Sequence, residues 1–278
     1  MTSASDTSTD EKPYNEALAA EAGDDLLFEV REGIGFITFN RPHARNAMTF
    51  AMYERLAQIC HESNDDMRAL VLTGAGGKAF AAGTDMSQFR AFETEQDALA
   101  YEERIDRVLG TLERCRVPTI AAIRGACAGG GAGIAVCCNL RVAEPGSRFG
   151  FPVARTLGNC LSMTGMARLA DLIGSARLKD IVFRARLIGA EEAQQIGFIN
   201  EVVEDAEAVL SRAEEIARQV ASYAPLTLRA TKEALLRLRR ELPAGGGQDL
   251  YLMCYMSEDF KEGMEAFLAK RPPQFKGR

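Results

Sequence analysis

The sequence predicts an α/β fold followed by a helical C-terminal third. Over the first 160 residues or so, short apolar segments of β type alternate with segments of helical periodicity, an order typical of α/β proteins. Beyond Gly158 the pattern becomes mainly helical. The glycine-rich stretch 125–135 follows one apolar segment and leads into another, which indicates a strand, a glycine turn and the start of a helix.

The individual elements follow from local patterns, taken in chain order. Two β-type runs, 26–30 and 34–39, are separated by Arg-Glu-Gly, which predicts a hairpin. Thr49 is a good N-cap for the next helix, whose apolar residues recur on one face (Met52, Leu56, Ile59 and Cys60). The pattern then predicts a strand at 69–73, a glycine loop, a helix from about 95 to 114 and a strand at 119–123. Helical periodicity covers 162–172, 176–184, 190–195, 205–221, 226–241 and 248–269.

The composition is that of an ordinary globular protein, since 278 residues with 47% hydrophobic content can bury a full core in one or two domains. No apolar run reaches the roughly 18 to 20 residues that span a bilayer, and no secretion signal is recognisable, so membrane insertion is not expected. The seven cysteines include no C-x-x-C pair, which favours a reduced, cytoplasmic setting. The two histidines lie in no cluster of ligand spacing, so we expect no metal site.

The net charge of −6 is confined to the first 25 residues, which hold seven acidic residues and one lysine. This segment, 1–25, is predicted to be a disordered acidic tail. The remaining chain is electrically balanced, so nucleic acid is not expected as a partner. The basic end, 261–278, leaves two interpretations open: it meets a phosphate, or it is a solvated terminus.

Two glycine-rich loops are candidates for binding an anion. The first, G-A-G-G-K-A-F at 74–80, fails as a Walker A loop because position 72 is Leu and Ala79 follows the lysine. Its partial G-x-G-x-x-A match does not follow the first strand, which disfavours a dinucleotide site. The second, Gly129 to Gly131, stands at a helix start, where free backbone N–H groups and the helix dipole favour an oxyanion.

Five motifs in this order resemble the crotonase (enoyl-CoA hydratase/isomerase) superfamily over about 26–278. They are N-R-P-H-A-R-N-A-M at 40–48, G-A-G-G-K-A-F-A-A-G-T-D-M at 74–86, P-T-I-A-A-I-R-G-A-C-A-G-G-G at 118–131, F-G-F-P at 149–152 and A-F-L-A-K-R at 266–271. The resemblance implies a spiral of ββα units over 26–200 and a helical trimerisation region over 201–278. It also implies trimers, often paired into hexamers, and acyl-CoA substrates, with coenzyme A as part of the substrate and no separate cofactor.

The same resemblance implies roles for individual residues. The backbone N–H groups of Thr84 and Gly130 would hold the thioester oxygen as it becomes an enolate, and fixed donors of this kind are worth about 3 to 4 kcal/mol each. Binding of CoA would involve two groups of residues, the second commonly reaching the site from a neighbouring subunit: Arg45, Ala82 and Asp85, then Phe267 and Lys270. For Asp85, stabilisation of a local turn is an equally good interpretation.

The chain departs from the family pattern at the acid/base positions. Gly133 and Val153 stand where hydratases of this family have glutamates. Because each such group typically contributes about 100- to 10,000-fold, water addition is expected to be slow unless other residues substitute.

Several side chains nearby are candidates for that substitution. Arg155 would clamp a substrate carboxylate if it faces the acyl pocket, and would otherwise form a surface ion pair. The resemblance places Tyr101 and Glu102 in the helical segment that lines the acyl pocket, where either would act as acid or base; the alternative is a solvated helix face. No base that would activate Cys160 or Ser162 is evident in the sequence.

The sequence thus predicts an acyl-CoA enzyme of the lyase and isomerase type that stabilises a thioester enolate. Two alternatives stay open. One is a decarboxylase, hydrolase or carbon–carbon bond enzyme that acts on a carboxylated acyl-CoA. The other is a catalytically silent acyl-CoA binder or scaffold subunit.

Overall fold

The structure is a computed structural model that describes residues 14–63, 67–238, 248–276 and 278. Ten strands lie within these ranges: β1 (Leu26–Arg31), β2 (Ile34–Phe39), β3 (Ala69–Gly74), β4 (Ala79–Ala81), β5 (Thr119–Ile123), β6 (Ala126–Ala128), β7 (Leu140–Ala143), β8 (Arg148–Gly150), β9 (Ile188–Gly189) and β10 (Glu201–Val202). Twelve helices accompany them: α1 (Glu16–Ala20), α2 (Phe50–Glu62), α3 (Glu95–Glu113), α4 (Gly130–Cys137), α5 (Val153–Thr156), α6 (Met163–Ile173), α7 (Ser175–Phe183), α8 (Ala190–Gln195), α9 (Ala208–Ala221), α10 (Pro225–Leu238), α11 (Gln248–Tyr255) and α12 (Glu258–Leu268).

The strands form two sheets, and from β3 to β8 successive strands alternate between them. The larger sheet has the order β1-β2-β3-β5-β7-β10, and the smaller one has the order β4-β6-β8-β9. Only the outer pairs β1–β2 and β8–β9 are antiparallel. In each of the pairs β3–β4, β5–β6 and β7–β8, the first strand enters the larger sheet and the second enters the smaller one before a helix follows. The predicted α/β fold, a spiral of two strands and a helix, is therefore confirmed.

Several local predictions are confirmed with their capping residues. Thr49 caps α2, accepting a hydrogen bond from the backbone N–H of Met52. Thr94 and Asp97 form a reciprocal capping box at the start of α3. The single helix predicted over 248–269 is two helices, because Ser257 starts α12 as its N-cap. The last residues of the helix predicted over 226–241 lie outside the described residues beyond Leu238.

The larger sheet is covered on both faces. On one face, Val71 and Ile120 pack with Val209 and Ala213 of α9. The opposite face joins the main core, in which Leu72 and neighbouring strand residues meet the apolar face of α2. Buried on both sides, these strands read as continuous apolar runs, as parallel strands usually do.

The C-terminal helices pack onto α3 through a cluster of aromatic side chains. Tyr251 and Tyr255 of α11 and Phe260 of α12 lie in one buried group with Phe89 and Tyr101. The ring centroids of Phe89 and Tyr101 are 4.8 Å apart at a steep angle, a favourable edge-to-face arrangement. This cluster fixes α11 beside the functional cleft described below.

Two predicted boundaries need correction. Within the predicted disordered tail, residues 14–25 are ordered: α1 packs on α2, Tyr14 and Ala19 are buried, and the Asn15 N–H donates to Glu54. The net charge of this segment did not reveal these contacts, because a few apolar residues, such as Tyr14 and Ala19, make them. Residues 1–13 lie outside the described residues. The boundary predicted at residue 200 also falls just before β10, which pairs with β7 in the larger sheet, so the α/β core continues into β10 and α9.

No described helix is long and apolar enough to cross a membrane.

One buried side chain joins the loops that lead to the functional site. Asn46 is fully buried in a left-handed conformation (φ +55°), and its Oδ1 accepts a hydrogen bond from the Arg41 N–H. Its Nδ2 donates to the carbonyls of Ala75 and Ala79 at 3.0 and 2.7 Å. The side chain therefore ties the segment before α2 to the loop between β3 and β4.

We expect Asn46→Ala to lower the free energy of unfolding by about 3 kcal/mol. The substitution leaves buried polar groups without partners, and alanine adopts a positive φ less readily than asparagine. Urea denaturation followed by circular dichroism measures the change. The exposed neighbour His43 supplies the control His43→Ala, which should stay within about 0.5 kcal/mol of wild type. Equal effects of the two substitutions would contradict the role assigned to Asn46.

Candidate active site

The glycine turn before α4 leaves backbone donors free at the helix start. Gly129 adopts φ +51°, and the first N–H groups of a helix have no partner within it. A side chain could not replace the hydrogens of the next two glycines: a Cβ on Gly130 would lie 2.1 Å from the Tyr53 hydroxyl, and one on Gly131 would lie 2.1 Å from the Ala81 carbonyl. The turn can therefore form only from residues without side chains.

Thr84 lies against this turn with its backbone N–H directed away from the neighbouring chain segment. Met48 pairs with it as in a parallel bridge, but the hydrogen bonds of Met48 go to the Gly83 carbonyl and the Asp85 N–H. In such a bridge the N–H of the middle residue points to the opposite side. The Thr84 Oγ1 lies 3.1 Å from the ideal Cβ position of Gly130, so Thr84 and Gly130 are direct neighbours.

A cleft that is open to solvent begins at these glycines, with about 650 Å³ of space between its walls. Apolar side chains from α3, α4 and the segment after β8 form most of its wall. The residues that line it are Tyr101, Glu102, Ile105, Leu109, Gly129, Gly130, Gly133, Val136, Phe151, Val153, Asn159, Cys160, Leu161, Ser162, Gly165 and Arg168. An apolar cleft with a few polar groups suits an acyl chain with a reactive end.

Glu102 brings a carboxyl group into the wall of this cleft. It is 6% exposed, and burial raises its pKa to about 7, a shift that the hydrogen bond from Tyr255 opposes and the nearby charge of Asp106 increases. The Tyr255 hydroxyl donates to Glu102 Oε1 at 2.5 Å and accepts from Asn159 Nδ2 at 3.2 Å. A carboxyl group with this pKa changes its protonation state near neutral pH, as a general acid or base must.

Tyr101 precedes Glu102 on α3 and also lines the cleft, so both residues are buried and do not form a solvated face. Burial, with the charges of Tyr53 and Glu102, raises the pKa of Tyr101 well above its usual value. Its hydroxyl lies 3.0 Å from Thr84 Oγ1, which lies 3.0 Å from the Tyr53 hydroxyl.

Of the two interpretations of Arg155, its exposure agrees with the one that places it on the surface. This residue lies exposed on the short helix α5 and does not line the cleft, because α5 turns its side chain outward. The arginine in the cleft wall is Arg168, which donates to Glu113 at 3.0 Å and lies 3.9 Å from Asp106. The positive charge of Arg168 is therefore compensated by two carboxylates, which indicates a structural role.

Ser162 and Cys160, the two candidates after Gly158, already have hydrogen-bond partners. The Ser162 hydroxyl donates to Asp106 at 2.6 Å and caps α6. The Cys160 thiol is hydrogen-bonded to Cys254, and that contact with burial raises its pKa, which disfavours a thiolate nucleophile. Within the described ranges, no group of three or more histidine, cysteine or acidic side chains has the arrangement of a metal site.

Sequence reasoning missed Asn159, Tyr255 and Arg168 as residues at or beside the cleft. Asn159 and Arg168 lie after Gly158, in the part of the chain that the motifs describe least, and Tyr255 belongs to α11. The signals available were weak: a single arginine on the apolar side of α6, and a tyrosine pair with helical spacing in α11, Tyr251 and Tyr255.

The residues predicted to bind CoA fall into two separate places. Ala82 donates its N–H to the Arg45 carbonyl, and Asp85 accepts from Arg41 at 2.8 Å, so the first group surrounds Thr84. Asp85 also caps the turn at Ser87, and these hydrogen bonds outweigh the effect of burial and lower its pKa. In contrast, Phe267 and Lys270 lie at the end of α12, where Phe267 is 53% exposed, and neither lines the cleft.

Comparison with known proteins agrees with this arrangement. The family model described as enoyl-CoA hydratase/isomerase matches residues 29–278. The chain is 33% identical over 259 residues to the short-chain-enoyl-CoA hydratase of Clostridium acetobutylicum, with 91% of this chain and 98% of that protein covered. It is 34% identical over 258 residues to the (E)-benzylidenesuccinyl-CoA hydratase of Thauera aromatica, with 91% and 99% covered.

Solved structures give the same assignment. A methylmalonyl-CoA decarboxylase in complex with 2-nitronate-propionyl-CoA superimposes with a TM-score of 0.82 at 26% identity, covering 91% of this chain and 98% of that one. A family protein from Hyphomonas neptunium superimposes with a TM-score of 0.73 at 35% identity, covering 91% and 98%. The family model covers most of the chain, and the two hydratase relatives, 33% and 34% identical, each align over 91% of it, so this chain belongs to the enoyl-CoA hydratase/isomerase (crotonase) family.

Proposed function

We propose that the protein is an acyl-CoA lyase or isomerase that works through a thioester enolate, with Glu102 as its acid/base residue. The observation that carries this proposal is the buried carboxyl group of Glu102, with a pKa near 7, in the same cleft as Gly130. The N–H groups of Thr84 and Gly130 hold the thioester oxygen. Gly133 and Val153, where related hydratases have glutamates, supply no proton, so Glu102 replaces that pair.

The chemistry follows from these two features. Ionised Glu102 removes a proton from C2 of the acyl group, and the electron pair moves onto the thioester oxygen, where two backbone donors stabilise it. Protonated Glu102 returns the proton to C2 or, in an isomerase, to C4 of the conjugated enolate. For hydration, ionised Glu102 takes a proton from the water that adds to C3 of an enoyl thioester, and the protonated Glu102 then gives that proton to C2 of the resulting enolate.

The named activities of relatives favour enoyl thioesters as substrates. The chain is similar to hydratases that act on short-chain enoyl-CoA and on (E)-benzylidenesuccinyl-CoA. The cleft wall is mainly apolar over Ile105, Leu109, Val136 and Leu161, which suits an acyl chain better than a strongly polar group.

A second candidate is decarboxylation of a carboxylated acyl-CoA. The high structural similarity to methylmalonyl-CoA decarboxylase favours it. Loss of CO₂ from C2 leaves the same enolate, which Glu102 would protonate. Arg155 does not support this alternative, since it is exposed and lies outside the cleft wall.

Binding of CoA and self-association are part of the proposal. Arg45, Ala82 and Asp85, which lie in the segments beside Thr84, would bind CoA, while Phe267 and Lys270 would reach the CoA of a neighbouring subunit. Exposed leucines on α10 support a trimer or hexamer that covers them, since exposed apolar patches commonly mark interfaces (Leu226, Leu235 and Leu238).

Solvent exchange of the C2 protons tests the proposal without assuming a particular reaction. Butyryl-CoA in D₂O should take up deuterium at C2 in the presence of the protein, at least 100-fold faster than in buffer, because enolate formation is reversible. Mass spectrometry measures the uptake, and loss of enoyl absorbance with crotonyl-CoA is followed in parallel. Binding of butyryl-CoA without exchange would reject the proposal and leave a silent binder, and exchange without loss of crotonyl-CoA would exclude a hydratase.

A further inference from the structure

We propose that three hydroxyl groups, on Tyr53, Thr84 and Tyr101, form an ordered chain that presents the Tyr101 O–H as a third hydrogen-bond donor to the thioester oxygen. We call this set the hydroxyl chain. The inference rests on the proposed enolate chemistry and adds two positioning groups to it, the side chains of Tyr53 and Thr84. Thr84 would then act twice, through its backbone N–H and through its hydroxyl.

The distances define a continuous chain. The Tyr53 hydroxyl lies 3.0 Å from Thr84 Oγ1, and Thr84 Oγ1 lies 3.0 Å from the Tyr101 hydroxyl. Tyr53 is fully buried and contacts the glycine turn before α4, since its hydroxyl occupies the space where a Cβ of Gly130 would be. Tyr101, at the other end, lines the cleft.

The direction of the chain follows from a count of hydrogens. Three hydroxyl groups carry three hydrogens, but the two contacts between them use only two. If the chain ran from Tyr101 to Tyr53, the third hydrogen would lie on Tyr53, and if both tyrosines donated to Thr84 it would lie on Thr84. Among the described residues, neither hydroxyl has a further hydrogen-bond acceptor. A buried donor without a partner costs about 1–3 kcal/mol. The opposite direction places the third hydrogen on Tyr101, where the cleft can supply an acceptor.

Both ends of the chain stay protonated at neutral pH. Burial raises the pKa of Tyr53 to about 12, although its hydrogen bond with Thr84 acts in the other direction. Burial also keeps the pKa of Tyr101 above its usual value. Tyr101 is therefore a hydrogen-bond donor, and the proton transfer itself is left to Glu102. Donors in series polarise one another, which strengthens the last O–H in the chain.

The acceptor is the thioester oxygen, because the chain meets the oxyanion site at both of its backbone donors. Thr84 supplies one donor from its own N–H, and the hydroxyl of Tyr53 contacts Gly130, which supplies the other. The hydroxyl of Tyr101 is one hydrogen bond away from Thr84. The hydroxyl chain thus lies beside the two backbone donors and adds one of its own.

A double-mutant cycle in the C2 exchange assay tests this proposal. We expect Tyr101→Phe to slow deuterium uptake by butyryl-CoA by about 100-fold, the lower range for loss of one oxyanion donor. Tyr53→Phe, which cannot touch the substrate, should slow it by about 10-fold through the weakened chain. In the Tyr101→Phe background, Tyr53→Phe should then change the rate by less than about twofold.

A matched pair at Thr84 separates the hydroxyl from the backbone. Thr84→Ser keeps both donors, whereas Thr84→Val keeps only the backbone N–H, so Thr84→Val should behave like Tyr101→Phe and exchange at least about 10-fold more slowly than Thr84→Ser. Binding of butyryl-CoA, measured by calorimetry, should change by less than about threefold in every variant, because the third donor acts on the enolate more than on the ground state.

Three results would overturn the hydroxyl chain. The first is multiplicative loss in the double variant, which would mean that Tyr53 and Tyr101 act independently. The second is Thr84→Val activity equal to that of Thr84→Ser. The third is a loss of rate that follows lowered thermal stability in Tyr53→Phe, which would mark a purely structural role. Absence of exchange in the wild-type protein would instead refute the proposed function itself.

Discussion

The substitution Glu102→Gln is expected to reduce C2 exchange and turnover by about 100- to 10,000-fold while acyl-CoA binding stays within about threefold of wild type. Glutamine keeps the size of the side chain and can still accept the hydrogen bond that Tyr255 donates to Oε1. It cannot take up a proton at C2, so only the acid/base step is removed. Exchange measured by mass spectrometry and binding measured by calorimetry separate the two effects.

The pH dependence gives this prediction a second readout. Proton removal needs the ionised carboxyl group, so the wild-type exchange rate should rise with pH and level off above a midpoint of about 7. The residual rate of Glu102→Gln should lack this midpoint. Glu103, the next residue on α3, is exposed and provides the matched control Glu103→Gln, which should keep both the rate and the midpoint. Equal losses in the two variants would argue against Glu102 as the acid/base residue.

Glu102→Gln should also stabilise the folded protein at neutral and higher pH. In the folded state the pKa is raised from 4.5 to about 7, so between these values the unfolded chain binds fewer protons and stability falls as pH rises. Above pH 7 the buried ionised carboxylate therefore lowers the free energy of unfolding of the wild-type protein by about 3 kcal/mol, a loss that the neutral glutamine avoids. Urea denaturation from pH 4 to 8.5 should show the gain growing over this interval. An inactive variant that is also more stable cannot owe its inactivity to unfolding.

The layout of the fold could be predicted from the sequence because its signals are local. The runs at 34–39, 69–73 and 119–123 are apolar except for one threonine each, as expected of strands buried on both faces, and each lies in the larger sheet. Thr49 marked the start of α2 through its own chemistry. The short strands of the smaller sheet, such as Ala79–Ala81 and Ala126–Ala128, gave no such signal, because three residues are too few to show a period.

The candidate site was less predictable because its parts meet only in three dimensions. Gly130 and Thr84 could be predicted from motifs. Glu102 was also a candidate, but the sequence could not show whether its side of helix α3 is buried or exposed to solvent. What fixes that face is Tyr255, 153 positions away on α11. Arg155 illustrates the reverse case, since its distance from Val153 along the chain was small and the turn of α5 nevertheless leaves it exposed.

Gly130→Ala is expected to reduce C2 exchange by about 100- to 1,000-fold, the range for loss of one oxyanion donor. An added Cβ would lie 2.1 Å from the Tyr53 hydroxyl and 3.1 Å from Thr84 Oγ1. The first distance is impossible for real atoms, so either the Tyr53 ring or the glycine turn must move. Both movements displace the Gly130 N–H relative to the Thr84 N–H, and two donors that no longer point at one atom stabilise an enolate poorly.

The same helix provides a control of matched chemistry. Gly133 also lines the cleft, and its added Cβ would meet only the Leu109 Cδ1 at 3.3 Å, a contact that a small side-chain shift relieves. Gly133→Ala should therefore keep the exchange rate within about threefold, helped by the better helix propensity of alanine. If both variants lost activity equally, crowding of the cleft would explain the loss. If Gly130→Ala alone fails while acyl-CoA still binds, the donor at position 130 is what enolate formation requires.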